Sequence, residues 1–304
     1  MKSAKALFLT VLLIGTASAR PNSDWDRYEL LPPVRTLRAD RIEYSYNSGK
    51  LSEVYRTTYA KLTFTKTGLL KESGSYATPA DRTYSVADTP TAEPIDFPMG
   101  TRSYRYDSRA RLLKVTLREF GKVLEFTTYS YGPGRQMVLA SHHDAKGAVI
   151  WSEEFSYDTR GNLVEYIHRD AVGTVLGKSS YRYDRRGNHT ERVIYNVGGD
   201  NEGGTFRILS KYDARGHMIE EKEIGKNEIL FSRTSYRCER RGNPISARVY
   251  DKDGTLLIRE MSFYKFDIAG NWIEKRTMEW RRLIREGQLT FTGVTKIKRR
   301  ISYY

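Results

Sequence analysis

Apolar and polar residues alternate with a period of two along most of this chain. In Val149-Ile-Trp151-Ser-Glu153-Glu-Phe155-Ser-Tyr157 one face carries Val149, Trp151, Glu153, Phe155 and Tyr157, and the other carries Ile150, Ser152, Glu154 and Ser156. Side chains two apart in a strand share a face, so the pattern predicts strands rather than helices. Turn signals punctuate these runs. Asp or Asn followed three residues later by Gly marks a type I turn: the acid bonds backbone N–H groups, and Gly takes the positive φ that re-enters a strand. Asp158-Thr-Arg-Gly161 belongs to one series of such turns. Asp144-Ala-Lys-Gly147, Asp170-Ala-Val-Gly173, Asn196-Val-Gly-Gly199 and Asp251-Lys-Asp-Gly254 belong to a second.

Strands and turns recur as a unit of about 26 residues, which is the mark of a repeat architecture. Its clearest copies are Phe155-Ser-Tyr157-Asp158-Thr-Arg-Gly161-Asn162 and Tyr181-Arg-Tyr183-Asp184-Arg-Arg-Gly187-Asn188. Later copies are Lys211-Tyr212-Asp213-Ala-Arg-Gly216, Tyr236-Arg-Cys238-Glu239-Arg-Arg-Gly242-Asn243 and Tyr264-Lys-Phe266-Asp267-Ile-Ala-Gly270-Asn271. The paired aromatics predict a ladder down one face of a sheet, each cross-strand contact contributing roughly 0.2–1 kcal/mol. The expected fold is all-β: consecutive antiparallel β-hairpin repeats of about 26 residues forming an elongated or coiled sheet.

The motif resembles the YD repeat of the Rhs family of bacterial secreted and surface proteins, which is related to teneurin shells. The likeness extends over residues 101–280. It implies hairpins that coil into a sheet. It also implies structural roles for Tyr157, Asp158, Gly161, Tyr183, Asp184, Gly187, Tyr212, Asp213, Gly216, Gly242, Phe266, Asp267 and Gly270. Some features depart from the family pattern. Asn follows the turn Gly where many members have Arg, Tyr104-Arg-Tyr106-Asp107-Ser-Arg-Ala110 lacks the Gly, and Tyr129-Ser-Tyr131-Gly132-Pro-Gly134 lacks the Asp. No Asp-Pro-x-Gly self-cleaving segment occurs. The resemblance is therefore to a short stand-alone member without a toxin.

Residues 1–19 read as a secretory signal peptide. Lys2 and Lys5 precede a short apolar core, and Ala17-Ser18-Ala19 offers a cleavage site after Ala19. The expected location is exported, whether periplasm, cell surface or extracellular space. Arg20 in place of Cys excludes a lipid-modified N-terminus, and no later run is long and apolar enough for a transmembrane helix. The remaining organisation is an N-terminal β segment with degenerate repeats (20–76), a Pro-rich linker or loop (77–100), the repeat array (101–280) and C-terminal capping strands (281–304). Cys238 is the only cysteine, so no intramolecular disulfide or cysteine metal site can form.

Lys and Arg number 51 against 37 acids, a net charge of +14. Such a balance favours anionic partners, here acidic polysaccharide or another envelope polyanion; a protein partner stays open, and nucleic acid is not expected. Arg109, Arg160, Arg186, Arg215 and Arg241 recur at one turn position. A row of guanidinium groups suits bidentate capture of carboxylate or phosphate, whereas the plainer reading is a solvated turn tip. Glu165, Glu191, Glu220 and Glu274 also fall in register, which suggests a repeated strand position rather than a catalytic pair. His142 and His168 occupy equivalent positions two strands apart, roughly 9.6 Å in a flat sheet and too far for one zinc ion. No metal, cofactor or catalytic constellation is implied. An outer-membrane barrel would need an uninterrupted apolar outer face, and most strands here place charge on both faces. The expected function is non-catalytic: an exported binding or scaffold protein at the cell envelope that takes glycan or anionic polymer. The alternatives are a purely structural envelope component and a secreted hydrolase.

Overall fold

The computed structural model describes residues 30–47, 49–76, 98–196, 205–283 and 287–304. The expected signal peptide, nearly all of the expected linker and the Asn196-Val-Gly-Gly199 turn past its first residue lie outside the described residues. Eighteen strands form among the described residues. They are β1 (Val34–Asn47), β2 (Lys50–Phe64), β3 (Leu70–Tyr76), β4 (Pro98–Tyr106), β5 (Leu112–Glu119) and β6 (Lys122–Tyr131). Next come β7 (Met137–Asp144), β8 (Val149–Tyr157), β9 (Leu163–Asp170), β10 (Val175–Tyr183), β11 (His189–Asn196) and β12 (Thr205–Tyr212). The last are β13 (Met218–Ile224), β14 (Leu230–Cys238), β15 (Pro244–Asp251), β16 (Leu256–Phe266), β17 (Trp272–Arg282) and β18 (Leu289–Tyr303).

Every strand pairs antiparallel with the strands before and after it, and β1 also pairs with β18 from Val34↔Tyr303 to Ser45↔Gly293. That last pairing closes the sheet into an up-and-down barrel. The elongated or coiled open sheet expected from the repeats is thereby corrected. The hairpins are present, but their accumulated curvature returns β18 to β1 and removes both edges. The segment expected to cap an edge contains β18, which is hydrogen-bonded on both sides.

The local chemistry of the turns explains the regular strand lengths. Asp158 donates its N–H to the Asn162 carbonyl, and Gly161 donates to the Asp158 carbonyl, giving a five-residue type I turn with a bulge. Gly161 sits at φ 84°, a conformation that costs a residue with a Cβ. The carboxylate of Asp158 accepts from the N–H groups of Arg160 and Asn162. Asp107, Asp144, Asp170, Asp184, Asp213 and Asp251 do the same in their own turns.

Eighteen strands at about 4.8 Å spacing and about 40° tilt make a round barrel about 36 Å across, too wide for side chains to fill. Consistent with this, each strand packs on its sheet neighbours, and no pair of strands facing each other across the barrel is in substantial contact among the described residues. Among the described residues the compact apolar cluster lies beside the seam: Leu30, Val34, Leu37, Leu62, Phe64 and Leu70, with Tyr104 and Ile301 against it.

Candidate functional site

The register of the pairs sorts every strand into two faces. Tyr181, Ser179 and Gly177 of β10 share a face with Arg192 and Ile194 of β11, Ile208 and Ser210 of β12, and Glu221 and Glu223 of β13. Inward side chains of a closed barrel converge, while outward ones diverge into solvent. Away from the seam, Ala140, Ser179, Ser210 and Ser262 are shielded on the tyrosine-bearing face, where Tyr183, Glu221, Tyr236 and Glu260 are also substantially buried. That face lines the lumen, while Thr116 and, at the seam, Asp40, Ile42 and Val294 are shielded on the other. On that other face Arg182, Lys211 and Lys265 project outward and are well exposed.

Three of the tyrosines that close a repeat stitch strands together at one rim. The hydroxyl of Tyr106 donates to the Leu70 carbonyl, Tyr131 to Leu112 and Tyr212 to His189, each at 2.8–2.9 Å and each at the first residue of an adjacent strand. The bulge leaves those carbonyls outside the regular ladder, and the phenol takes them up. Cys238 replaces this tyrosine in its repeat; its sulfur faces the Met218 carbonyl at 4.0 Å, and burial pushes its thiol pKa up.

Asparagine follows the turn glycine in four repeats. Asn162, Asn188 and Asn243 donate from Nδ2 to the acid of their own turn. Asn271 instead receives the chain entering β1. It accepts from the Leu31 N–H and donates to the Leu31 carbonyl and the Tyr303 hydroxyl, while Tyr303 bonds the Asp267 carboxylate. This clasp holds the seam at the rim, and nothing in the repeated motif distinguishes Asn271 from its equivalents.

Two polar groups stand out along the lumen wall. On β6–β9, Glu153 accepts from Tyr166 at 2.8 Å and lies 3.5 Å from His142 Nε2, while Nδ1 of His142 meets Thr127 at 2.9 Å. His142 stacks on Trp151, whose other side meets the edge of His168. Burial holds the His142 pKa below its ordinary value despite Glu153. On β13–β17, burial and then Glu223 raise the pKa of Glu221, and burial and then Glu279 raise that of Glu260. Glu260 and Glu279 are directly opposed across the β16–β17 pair, with Arg281 bonded to Glu279 at 2.6 Å. Burial also pushes Tyr183 up to about 12. The wall is thus aromatic and hydroxylic, with carboxyl groups and the cations Arg192, Lys275 and Arg281 at intervals.

The predicted arginines come together at the tyrosine rim, one per turn, but their side chains do not all face outward as a row. Arg186 donates to the Ala214 carbonyl of the next turn at 2.8 Å, and Arg241 lies over the Phe266 ring at 4.6 Å. Arg109, Arg160 and Arg215 each donate a backbone N–H to their turn aspartate. The in-register glutamates are outward and bracketed by cations. Glu191 pairs with Arg182 and Arg207, Glu220 with Lys211, Lys222 and Arg233, and Glu274 with Lys265 and Arg276. His142 and His168 flank Trp151 from opposite strands. Among the described residues no group of three His, Cys, Asp or Glu could hold a metal ion, and no helix is long and apolar enough to cross a membrane. The lumenal Glu221, Glu223, Glu260 and Glu279 escaped the sequence reading. Their signal was present as inward-phase acids, but which phase is inward becomes known only once the sheet closes.

No protein-family model and no curated protein sequence matches the chain. Among solved structures it is similar to a porin-like protein from Bacteroides uniformis, at 10% identity over 89% of this chain and 97% of that one, with a TM-score of 0.44. A porin-like protein from Bacteroides vulgatus aligns at 11% identity over 90% and 99%, with a TM-score of 0.32. TcdB2-TccC3 without its hypervariable C-terminal region aligns at 11% over 83% of this chain and 19% of that one, with a TM-score of 0.33. These likenesses concern strand arrangement alone. The expected membership of the Rhs repeat family is corrected: what recurs is the hairpin of a closed eighteen-stranded barrel. The expected envelope scaffold for glycan or anionic polymer is corrected with it, because closure leaves no open sheet along which a polymer could lie.

Proposed function

We propose that this is an exported barrel of transport type, whose lumen admits and carries small polar solutes. The observation that carries the reading is closure by the β1–β18 pairing around a space that strand packing does not fill. Aromatic rings, serines and carboxyl groups along the wall suit solutes with hydroxyl or amino groups and flat apolar faces. A bilayer-spanning wall would need an outward apolar band about 25 Å tall, with each lysine or arginine at its midplane costing about 2–4 kcal/mol. The outward charges of Lys178, Arg207, Lys222, Arg233 and Arg276 favour a wall that works in water.

Gly177 provides the test, since it lies on the lumenal face and a Cβ there meets nothing within 4 Å. In a Cys238→Ser background, Gly177→Cys should react with a small maleimide at the rate of an open thiol but resist one carried on a large polymer. Lys211→Cys, which points outward, should react with both. A small solute that occupies the lumen should slow the first reaction, and sugars, amino acids and nucleosides are the panel to scan. If Gly177→Cys reacts like Lys211→Cys, or reacts with neither reagent, the open-lumen reading fails.

A further inference from the structure

His142 is held in a way that suits a neutral imidazole and not a charged one. Its ring stacks on Trp151 at 17°, and Nδ1 meets Thr127 at 2.9 Å. Nε2 is shielded from water and has no hydrogen-bond partner among the described residues. A sealed nitrogen without a partner tolerates the neutral ring, whereas a proton placed there needs an acceptor. The acceptor at hand is Oε2 of Glu153, 3.5 Å away and too far for a good bond. Closing that gap to a charged hydrogen bond of about 2.7–2.9 Å takes a movement of under about 1 Å. Ala140, directly opposite Glu153 on the strand that carries His142, is too small to stand in the way.

Glu153 cannot make that movement without giving something up. His142 lies on the strand before it and Tyr166 on the strand after it, and Oε1 already accepts from the Tyr166 hydroxyl at 2.8 Å. The carboxylate is therefore drawn from both sides. Other charges face the pair without competing for it. Glu125 on β6 and Arg192 on β11 act on it from a distance. His143 belongs to the opposite face of β7 and bonds Thr128. Asp144 and Asp170 accept from the N–H groups of their own turns. His168, opposite Glu153 on β9, meets the edge of Trp151 and has its own Nε2 sealed from water.

We propose that His142, Glu153 and Tyr166 form a proton-operated switch in the lumen wall. A proton taken from water by Nε2 of His142 draws Glu153 across to the imidazolium. The Tyr166 hydroxyl, left without its acceptor, turns its O–H to the lumen. Burial keeps His142 neutral at pH 7 and places the change on the acid side of 6.5. The consequence for carriage rests on the open-lumen reading. Above the transition the wall offers a carboxylate to the amino group of a solute; below it His142 engages that carboxylate, and a hydroxyl donor takes its place.

The experiment is a pH titration of the full chain with carbon-13 in its histidine rings, followed by NMR from pH 8 to pH 4. Five histidines give five ring signals, and His142→Gln identifies the one that matters. Its midpoint should lie below 6.5. Glu153→Gln should weaken the hold of His142 on its proton about tenfold, because the imidazolium loses its counter-charge. Tyr166→Phe should strengthen that hold about threefold, because the phenol no longer competes for the carboxylate. Opposite signs are what a shared carboxylate demands, and a histidine that is only buried would answer to neither change. A midpoint at or above 6.5, or one that Tyr166→Phe leaves in place, overturns the proposal. So does a response to Glu153→Gln that appears at His168 and not at His142. Circular dichroism at each pH separates titration from unfolding, and if Glu153→Gln does not fold, Tyr166→Phe alone decides. The titration needs no solute, so this switch and the open lumen can fail separately.

Discussion

At the scale of single residues, the same side chain does different work according to what lies beside it. Asn162 and Asn271 occupy the same repeat position, yet one only braces its own turn while the other holds the chain entering β1. Asn271 is almost fully buried, so truncation leaves several polar groups without partners. Asn271→Ala should cost about 2–3 kcal/mol in urea unfolding, and Asn162→Ala about 1 kcal/mol or less. Equal losses at the two sites would remove the clasp from the account. Phe120→Asn should raise stability by about 1 kcal/mol, because Asn tolerates the left-handed region that phenylalanine avoids. A loss of stability there would mean that the ring packs on something in the folded protein.

The element scale is where the sequence was most legible. Each hairpin is written locally: an acid and a glycine at fixed spacing make the turn, and period-two alternation makes the strands. Electrostatics at this scale divides into two opposing sets. The turn acids Asp158, Asp184 and Asp213 have pKa values below the ordinary 3.8, held there by the side chain or N–H groups of Asn162 and Asn188 and by the N–H of His217. Their contribution is complete above that value and fades as pH falls through the lowered ones. Glu221 and Glu260 are raised above 4.5 by burial, so their contribution is complete below 4.5 and is lost as pH climbs through the raised values. Glu221→Gln with Glu260→Gln should therefore melt like the wild type near pH 4 and above it at pH 8, measured by thermal circular dichroism. A gap between the two that does not change with pH would contradict the lumenal assignment of these acids.

On the scale of the whole molecule, closure is the property that local pattern could not convey. The alternation that marks a strand is identical in an open meander and in a barrel, and no residue of β1 announces β18 as its neighbour. The seam depends on shape accumulated over all the strands and on a few long-range contacts. Asp40, nearly buried, accepts from Arg38 at 3.0 Å, Thr58 at 2.7 Å and Arg300 at 3.3 Å. Burial alone would raise its pKa, but the bonds from Thr58 and Arg38 hold it low. Asp40→Ala leaves those cations facing one another, and a loss of about 3 kcal/mol is expected in denaturant unfolding. The rims were half legible: the arginine turns stood out as a series, whereas the exposed apolar residues toward the other end, such as Val149 and Ile150, were scattered among ordinary strand ends.

The β1–β18 seam also has a history within each folding event. It joins residues such as Thr36 and Ser302, 266 positions apart, whereas every other pair in the barrel joins consecutive strands. Consecutive hairpins can zip in any order over short loops, but this pairing must wait until the rest has curled round. Until then β1 and the last strand formed are two unguarded edges with backbone groups ready for a foreign strand. Crowded refolding should therefore trap the chain as open sheets joined edge to edge, and dilution should favour the ring.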